Sequence, residues 1–167
     1  MRRINIIMIK PYNREEAVKY ARKWALIPNP KFYHFEGIGG DCTNFISQCL
    51  LAGGGTMNFS YPFGWYYNSL SDRSPSWTSV AYLQKFLLRS DNSKGPVGRI
   101  TTLDNVEIGD LIQLRQNKTH FNHTLIVSKI INKEIFVCAH SNDALDRKLN
   151  SYNYLELMPI KIIGNNH

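Results

Sequence analysis

Long apolar runs are missing from this chain. The most extended aliphatic stretches, Ile6-Ile7-Met8-Ile9 and residues 124–127, fall far short of the roughly 20 residues a bilayer-spanning helix needs, so no membrane span is expected. Cysteine is scarce and odd in number, with three residues in 167. That excludes a complete disulfide framework, and no Cys-x-x-Cys pair is present to build a structural zinc knuckle. Cys42 and Cys49 lie about 10 Å apart along any helix that carries both, beyond disulfide reach. Acid is the minority charge: 13 Asp and Glu against 20 Lys and Arg leave a net +7. This favours an anionic partner or surface. The basic residues are scattered, however, and neither a P-loop nor an RNA-binding aromatic motif occurs, so no specific nucleic-acid partner is read. Met1-Arg2-Arg3 has the charged start of a signal peptide, but Lys10-Pro11-Tyr12 interrupts the apolar stretch behind it, and the segment reads as carrying no export signal. The compartment stays open.

What is present is enough to build one packed domain over residues 1–167, with a core spanning about 12–162. Apolar residues make up 43% of the chain and no repeat or low-complexity segment divides it. Asn13 followed by Glu16 is a capping-box pattern, and Ala17, Val18, Ala21, Trp24 and Ala25 then share a helical face. Cys42, Phe45, Ile46, Cys49 and Leu50 recur at helical spacing until Gly53-Gly54-Gly55 stops them. Residues 56–76 read as a long aromatic loop, residues 77–88 as a third helix and residues 91–98 as a loop. The rest reads as β: a strand at 110–115, a hairpin of 123–130 and 134–140 around Asn132-Lys133, and a closing strand at 154–163. Helices first and an antiparallel sheet second define an α+β domain, with a monomer as the expected state.

Cys42 carries the strongest chemical signal. The turn Gly37-Ile38-Gly39-Gly40 leads to Asp41, a good N-cap, and puts Cys42 in the first turn of a helix. Unpaired N–H groups and the positive end of the dipole there stabilise a thiolate and can bind an oxyanion. A cysteine nucleophile needs a base. His167 is terminal, His34 sits among aromatics in a loop, and His120 lies in the polar stretch Lys118-Thr119-His120 and reads as solvated. His123 opens the strand His123-Thr124-Leu125-Ile126-Val127. A turn centred on Asn132-Lys133 sets His123 opposite Asn142, so His123, His140 and Asn142 are expected on one face. His140 and Asn142 are then alternative partners for the imidazole of His123, with Asp143 a weaker third. A one-residue slip would undo this arrangement. The set Cys42, His123, His140 and Cys138 has no common zinc spacing, so neither a metal nor another cofactor is expected. Asp41 and the aromatic residues Trp65, Tyr66 and Trp77 are expected to face substrate.

Asp41-Cys42-Thr43-Asn44-Phe45-Ile46-Ser47-Gln48-Cys49-Leu50, Gly109-Asp110-Leu111-Ile112, His123-Thr124-Leu125-Ile126-Val127 and His140-Ser141-Asn142-Asp143 follow one another along the chain. In that order they resemble the bacterial putative-amidase domain family, itself similar to CHAP and NlpC-type cell-wall amidases and endopeptidases. The likeness covers residues 12–162. It implies a papain-like fold and a cofactor-free cysteine amidohydrolase or peptidase. Cys42 would be the nucleophile, His123 the base, His140 the orienting residue and Asn142 an additional polar residue. Tyr33 is a possible counterpart of the upstream tyrosine of NlpC-type sites. The implied substrate is a peptide or peptidoglycan amide. An acyltransferase or transpeptidase with the same residues, or an inactive module that grips peptide or glycan, is the alternative.

Overall fold

The computed structural model describes residues 9–167. The charged N-terminal start and most of the apolar run behind it lie outside the described residues. Within them, no helix is long and apolar enough to cross a membrane.

The first elements are strand β1 (Ile9–Lys10), helix α1 (Arg14–Trp24) and helix α2 (Cys42–Ala52). The side chain of Asn13 caps α1 by accepting from the Glu16 N–H at 3.1 Å. In α2, nine consecutive residues from Cys42 to Leu50 are buried, so this helix is enclosed on all sides and not merely along an apolar stripe. The aromatic loop contains a short hairpin of β2 (Tyr67–Ser69) and β3 (Asp72–Arg73). The expected third helix is two pieces, α3 (Pro75–Thr78) and α4 (Val80–Leu87). Ser79 between them is extended, and its hydroxyl accepts from the Tyr82 N–H at 3.4 Å. A serine that caps a following helix takes a non-helical backbone, and that breaks the run.

Six strands complete the fold: β4 (Gly95–Ile100), β5 (Leu111–Arg115), β6 (His123–Ile131), β7 (Glu134–Ala139), β8 (Ala144–Lys148) and β9 (Glu156–Asn166). The sheet runs β1-β9-β5-β6-β7-β8, with β4 also on β9, and every pairing is antiparallel. Strand β4 begins inside residues 91–98, which the sequence reads as a loop, and β8 adds a strand where none is expected. The architecture is the expected α+β. One face of the sheet, with Leu111, Ile126, Cys138 and Ile160, packs under the helices against Ala21, Phe45, Leu50 and Leu83. The other, with Ile112, Leu114, Leu125 and Val137, is covered by Val106, Leu149 and Tyr152.

The hairpin register changes along its length. Ile131 pairs with Glu134 and Lys129 with Phe136, as a turn at Asn132-Lys133 requires, but Val127 then pairs with Val137 and Ile126 with Cys138. Ser128 is the extra residue of a β-bulge. Its hydroxyl donates to Asp146 Oδ1 on β8 at 2.7 Å, and Asp146 is itself ion-paired to Arg22 of α1 at 2.6 Å. Beyond the bulge each residue of β6 is out of step by one. The shared face expected for His123 and His140 is therefore lost.

Candidate active site

Two glycines deliver Cys42 to its place. Gly39 and Gly40 have φ of +80° and +91°, a region side chains rarely occupy, and a Cβ on Gly40 would press on Ser141 Oγ at 3.3 Å. Asp41 occupies the N-cap position of α2, but its side chain does not cap the helix. Its Oδ1 accepts from the Phe35 N–H at 2.8 Å and from Asn44 Nδ2 at 2.9 Å, and its Oδ2 meets His140 Nδ1 at 2.5 Å. Asp41 is 1% exposed, so it holds the helix entry and cannot meet a substrate.

His140 is the other half of that lock. Its ring stacks on Phe45 at 4.0 Å, and its Nε2 meets the Trp24 carbonyl at 2.7 Å. A carbonyl and a carboxylate only accept, so both ring nitrogens carry protons and His140 is an imidazolium. Burial pushes its pKa down, but the bonds to Asp41 and to Trp24 outweigh this and raise it above the ordinary histidine value. Conversely, burial pushes the Asp41 carboxyl up, and the bonds from His140, Phe35 and Asn44 bring it below the ordinary range. A charged histidine with both nitrogens engaged does not orient His123. His34 Nε2 approaches Asp41 Oδ2 at 3.7 Å, and one ligand atom from each of His34, Asp41 and His140 lies within 4.8 Å of the others. This trio is where a metal could be held, but only by displacing the bonds that now join Asp41 and His140.

The Cys42 thiol is 7% exposed and opens into a hollow of about 350 Å³ that it shares with Gly39, Thr78, Ser79, His120 and Asn122. Burial pushes the thiol pKa up, against the Thr124 N–H and the hydroxyl and N–H of Thr43, which favour the thiolate, while the Asp41 charge adds to the rise. The expectation of a thiolate at rest fails on this point, because desolvation outweighs the helix end. The helix carries the Thr43 donors to the sulfur and the sheet carries the Thr124 N–H, with Thr43 Oγ1 and Thr124 Oγ1 3.4 Å apart.

His123, one residue before Thr124, turns its ring to the opposite face of the sheet. It lies 6.1 Å from the Tyr152 ring and lines a polar hollow of about 310 Å³ with Ser141, Asn142 and Arg147. Burial and the Arg147 charge lower its pKa to about 4, so the imidazole is neutral at physiological pH. Among the described residues, no hydrogen bond joins His123 to Cys42 or to Asn142. The two hollows meet at the end of the sheet: Asn122 lines both, and Ser141 Oγ accepts from the Asp41 N–H at 3.0 Å. Ser141 also donates to Glu36 Oε2 at 3.2 Å. Ser141 and Asn142 are both left-handed, with φ of 60° and 66°, and this strained pair ties the β7 end to the Gly40-Asp41 turn. The structure thus brings Cys42 close to the start of β6 and puts His123 and Asn142 in one hollow, while His140 lies apart under α2.

Two aromatics expected to face substrate are core residues. Trp65 and Trp77 are fully buried, and their indoles donate to Ser47 Oγ at 3.1 Å and Asn44 Oδ1 at 2.9 Å. Those α2 side chains satisfy the indole N–H groups and make burial affordable. Tyr66 does line a surface groove. His120, read as solvated, is the residue the sequence missed in the Cys42 hollow. Its Nδ1 lies 2.7 Å from Thr119 Oγ1, and among the described residues no hydrogen bond engages its Nε2. The only sequence signal for it is its place three residues before His123.

A model of the putative amidase domain family matches residues 11–163. The chain belongs to that family. Its description, putative amidase domain, suggests amide hydrolysis. The uncharacterized protein YjcM of Bacillus subtilis strain 168 is 30% identical over 146 residues, which cover 83% of this chain and 33% of that protein. The uncharacterized protein YhbB of the same strain is 38% identical over 120 residues, covering 70% of this chain and 37% of that protein. The chain thus spans about a third of the length of these curated relatives. No solved structure gives a significant match.

Proposed function

We infer that this domain is a cysteine amidohydrolase in which Cys42 attacks an amide carbonyl. The observation that carries this reading is the Cys42 thiol at the mouth of a hollow, met by backbone and side-chain donors from both α2 and β6. With a raised thiol pKa and a depressed His123 pKa, the resting pair is neutral thiol and neutral imidazole. The thiol proton leaves as the sulfur–carbon bond forms and is then given to the leaving amine. His123, whose ring does not touch the thiol, is assigned this transfer by relay across the end of the sheet, where Asn122 lines both hollows. Water afterwards cleaves the thioester, with His123 as base and Asn142 as its polar neighbour. Support for His123 comes from its protonation state and its place beside Thr124. The substrate class we favour is a peptide amide of the bacterial cell wall, on the strength of the resemblance and the net charge of +7.

Thiol labelling tests the assignment of the nucleophile. Iodoacetamide should modify Cys42 alone in the folded chain, at a rate that climbs with pH through the alkaline range, because the thiol is held protonated. Cys49 and Cys138 are fully buried and should react only after denaturation. Equal labelling of all three thiols, or protection of Cys42 until the chain unfolds, would overturn the assignment.

A further inference from the structure

The Cys42 hollow continues into a larger groove. Thr78 and Ser79, at the break between α3 and α4, line both. The groove holds about 630 Å³ and is walled by Tyr61, Tyr66 and Tyr82, with Asp72 of β3 on one side. Asp72 makes no ion pair among the described residues, and its Oδ2 accepts from Asn68 Nδ2 at 3.0 Å. Its carboxylate also engages the Tyr66 hydroxyl of the groove wall; burial and the Asp72 charge and contact together raise that phenol's pKa. Arg73, the one cation lining the groove, is turned inward. It donates to Thr78 Oγ1 at 3.2 Å and to the Leu70 carbonyl, and its guanidinium lies 4.4 Å from the Phe35 ring centre. On a chain of net charge +7, this groove presents an uncompensated carboxylate among aromatic rings.

We propose that the groove is the specificity subsite of the same site, and that it selects peptides carrying a primary ammonium group, held by Asp72 and by the tyrosine faces. A carboxylate attracts the ammonium charge, and tyrosine rings attract a cation through their quadrupoles. A neutral or acidic side chain would gain neither term. The ammonium group could be a lysine-type side chain or a free amino terminus, since both offer the same chemistry. The proposal rests on the reading of Cys42 as nucleophile only in placing the scissile amide next to the groove.

Binding separates the two ideas. The probes are Nα-acetyl-lysine amide, with only a side-chain ammonium, norleucine amide, with only an α-ammonium, and Nα-acetyl-norleucine amide, with neither. Titrations of the full chain are followed by amide chemical shifts of residues 66–82. At least one ammonium probe should bind about tenfold more tightly than the neutral probe, or about 1.4 kcal/mol. Asp72→Asn should erase that preference, and added salt should shrink it. Tyr82→Ala should weaken the ammonium probe more than the neutral one. Whichever ammonium probe wins identifies the source. Equal binding of all three probes, or a preference that survives in a folded Asp72→Asn chain, would overturn the subsite while leaving the Cys42 labelling result intact.

Discussion

Replacing His140 by alanine is expected to destabilise the folded chain by about 3–5 kcal/mol, because it strands the buried Asp41 carboxylate without its counter-charge. The two side chains are 2% and 1% exposed, so water cannot replace the lost bond. The orienting role that the resemblance implies for His140 would instead predict a loss confined to catalysis. Denaturant titration of wild type and His140→Ala against pH tests the difference. His140 has its pKa raised, so its contribution is complete below the unfolded value of about 6.5 and fades as pH rises through the folded value. Asp41 has its pKa lowered, so its contribution is present above about 3.9 and is lost as pH falls through the folded value. The advantage of wild type should therefore be widest between these limits and narrow on both sides. A His140→Ala chain as stable as wild type at pH 6 would show that the Asp41–His140 lock holds nothing.

That lock explains why part of the site could be read from sequence and part could not. The helix carrying Cys42 was legible, because Cys42, Phe45, Ile46 and Cys49 repeat at helical spacing and glycines end the run. Its polar residues were not. Asn44 and Ser47 look like an ordinary hydrophilic face, yet they accept the indole N–H groups of Trp77 and Trp65 and make α2 a central helix. The same contacts turn two aromatics of a supposed groove into core. Strand β4 was hidden by its composition, Gly-Pro-Val-Gly-Arg-Ile, since glycine and proline are poor strand signals; pairing with β9 alone makes it a strand. The hairpin was legible down to its turn residues, but the bulge at Ser128 was not. It depends on Asp146 of β8, which is held in turn by Arg22 of α1. No local pattern at Ser128 reports contacts with residues that far away in the chain. One unseen residue sufficed to separate His123 from His140.

The kinetic consequence is the sharpest test of the remaining pair. Cys42→Ala should abolish amide turnover on a soluble cell-wall peptide, because the covalent route disappears with the sulfur. His123→Ala should lower kcat on the order of 10²–10⁴, the usual worth of a general acid–base group. Asn142→Ala should lose less, since a neighbour of the ring contributes orientation and transfers no proton. His120→Ala is the discriminating control, because His120 lines the Cys42 hollow and no hydrogen bond engages its Nε2 among the described residues. The pH profile adds a second readout. The free-enzyme profile of kcat/KM reports the essential base, and His123 titrates near 4. Activity should therefore persist down to about pH 5 and fall only below it. A large loss in His120→Ala with a small one in His123→Ala, and no limb near 4, would transfer the proton step to His120. A limb near 4 with the losses in the expected order would mean that His123 serves Cys42 across the end of the sheet. In that case the bulge at Ser128, by turning His123 to the face where burial and the Arg147 charge hold its imidazole neutral, is what leaves the base ready to accept the thiol proton.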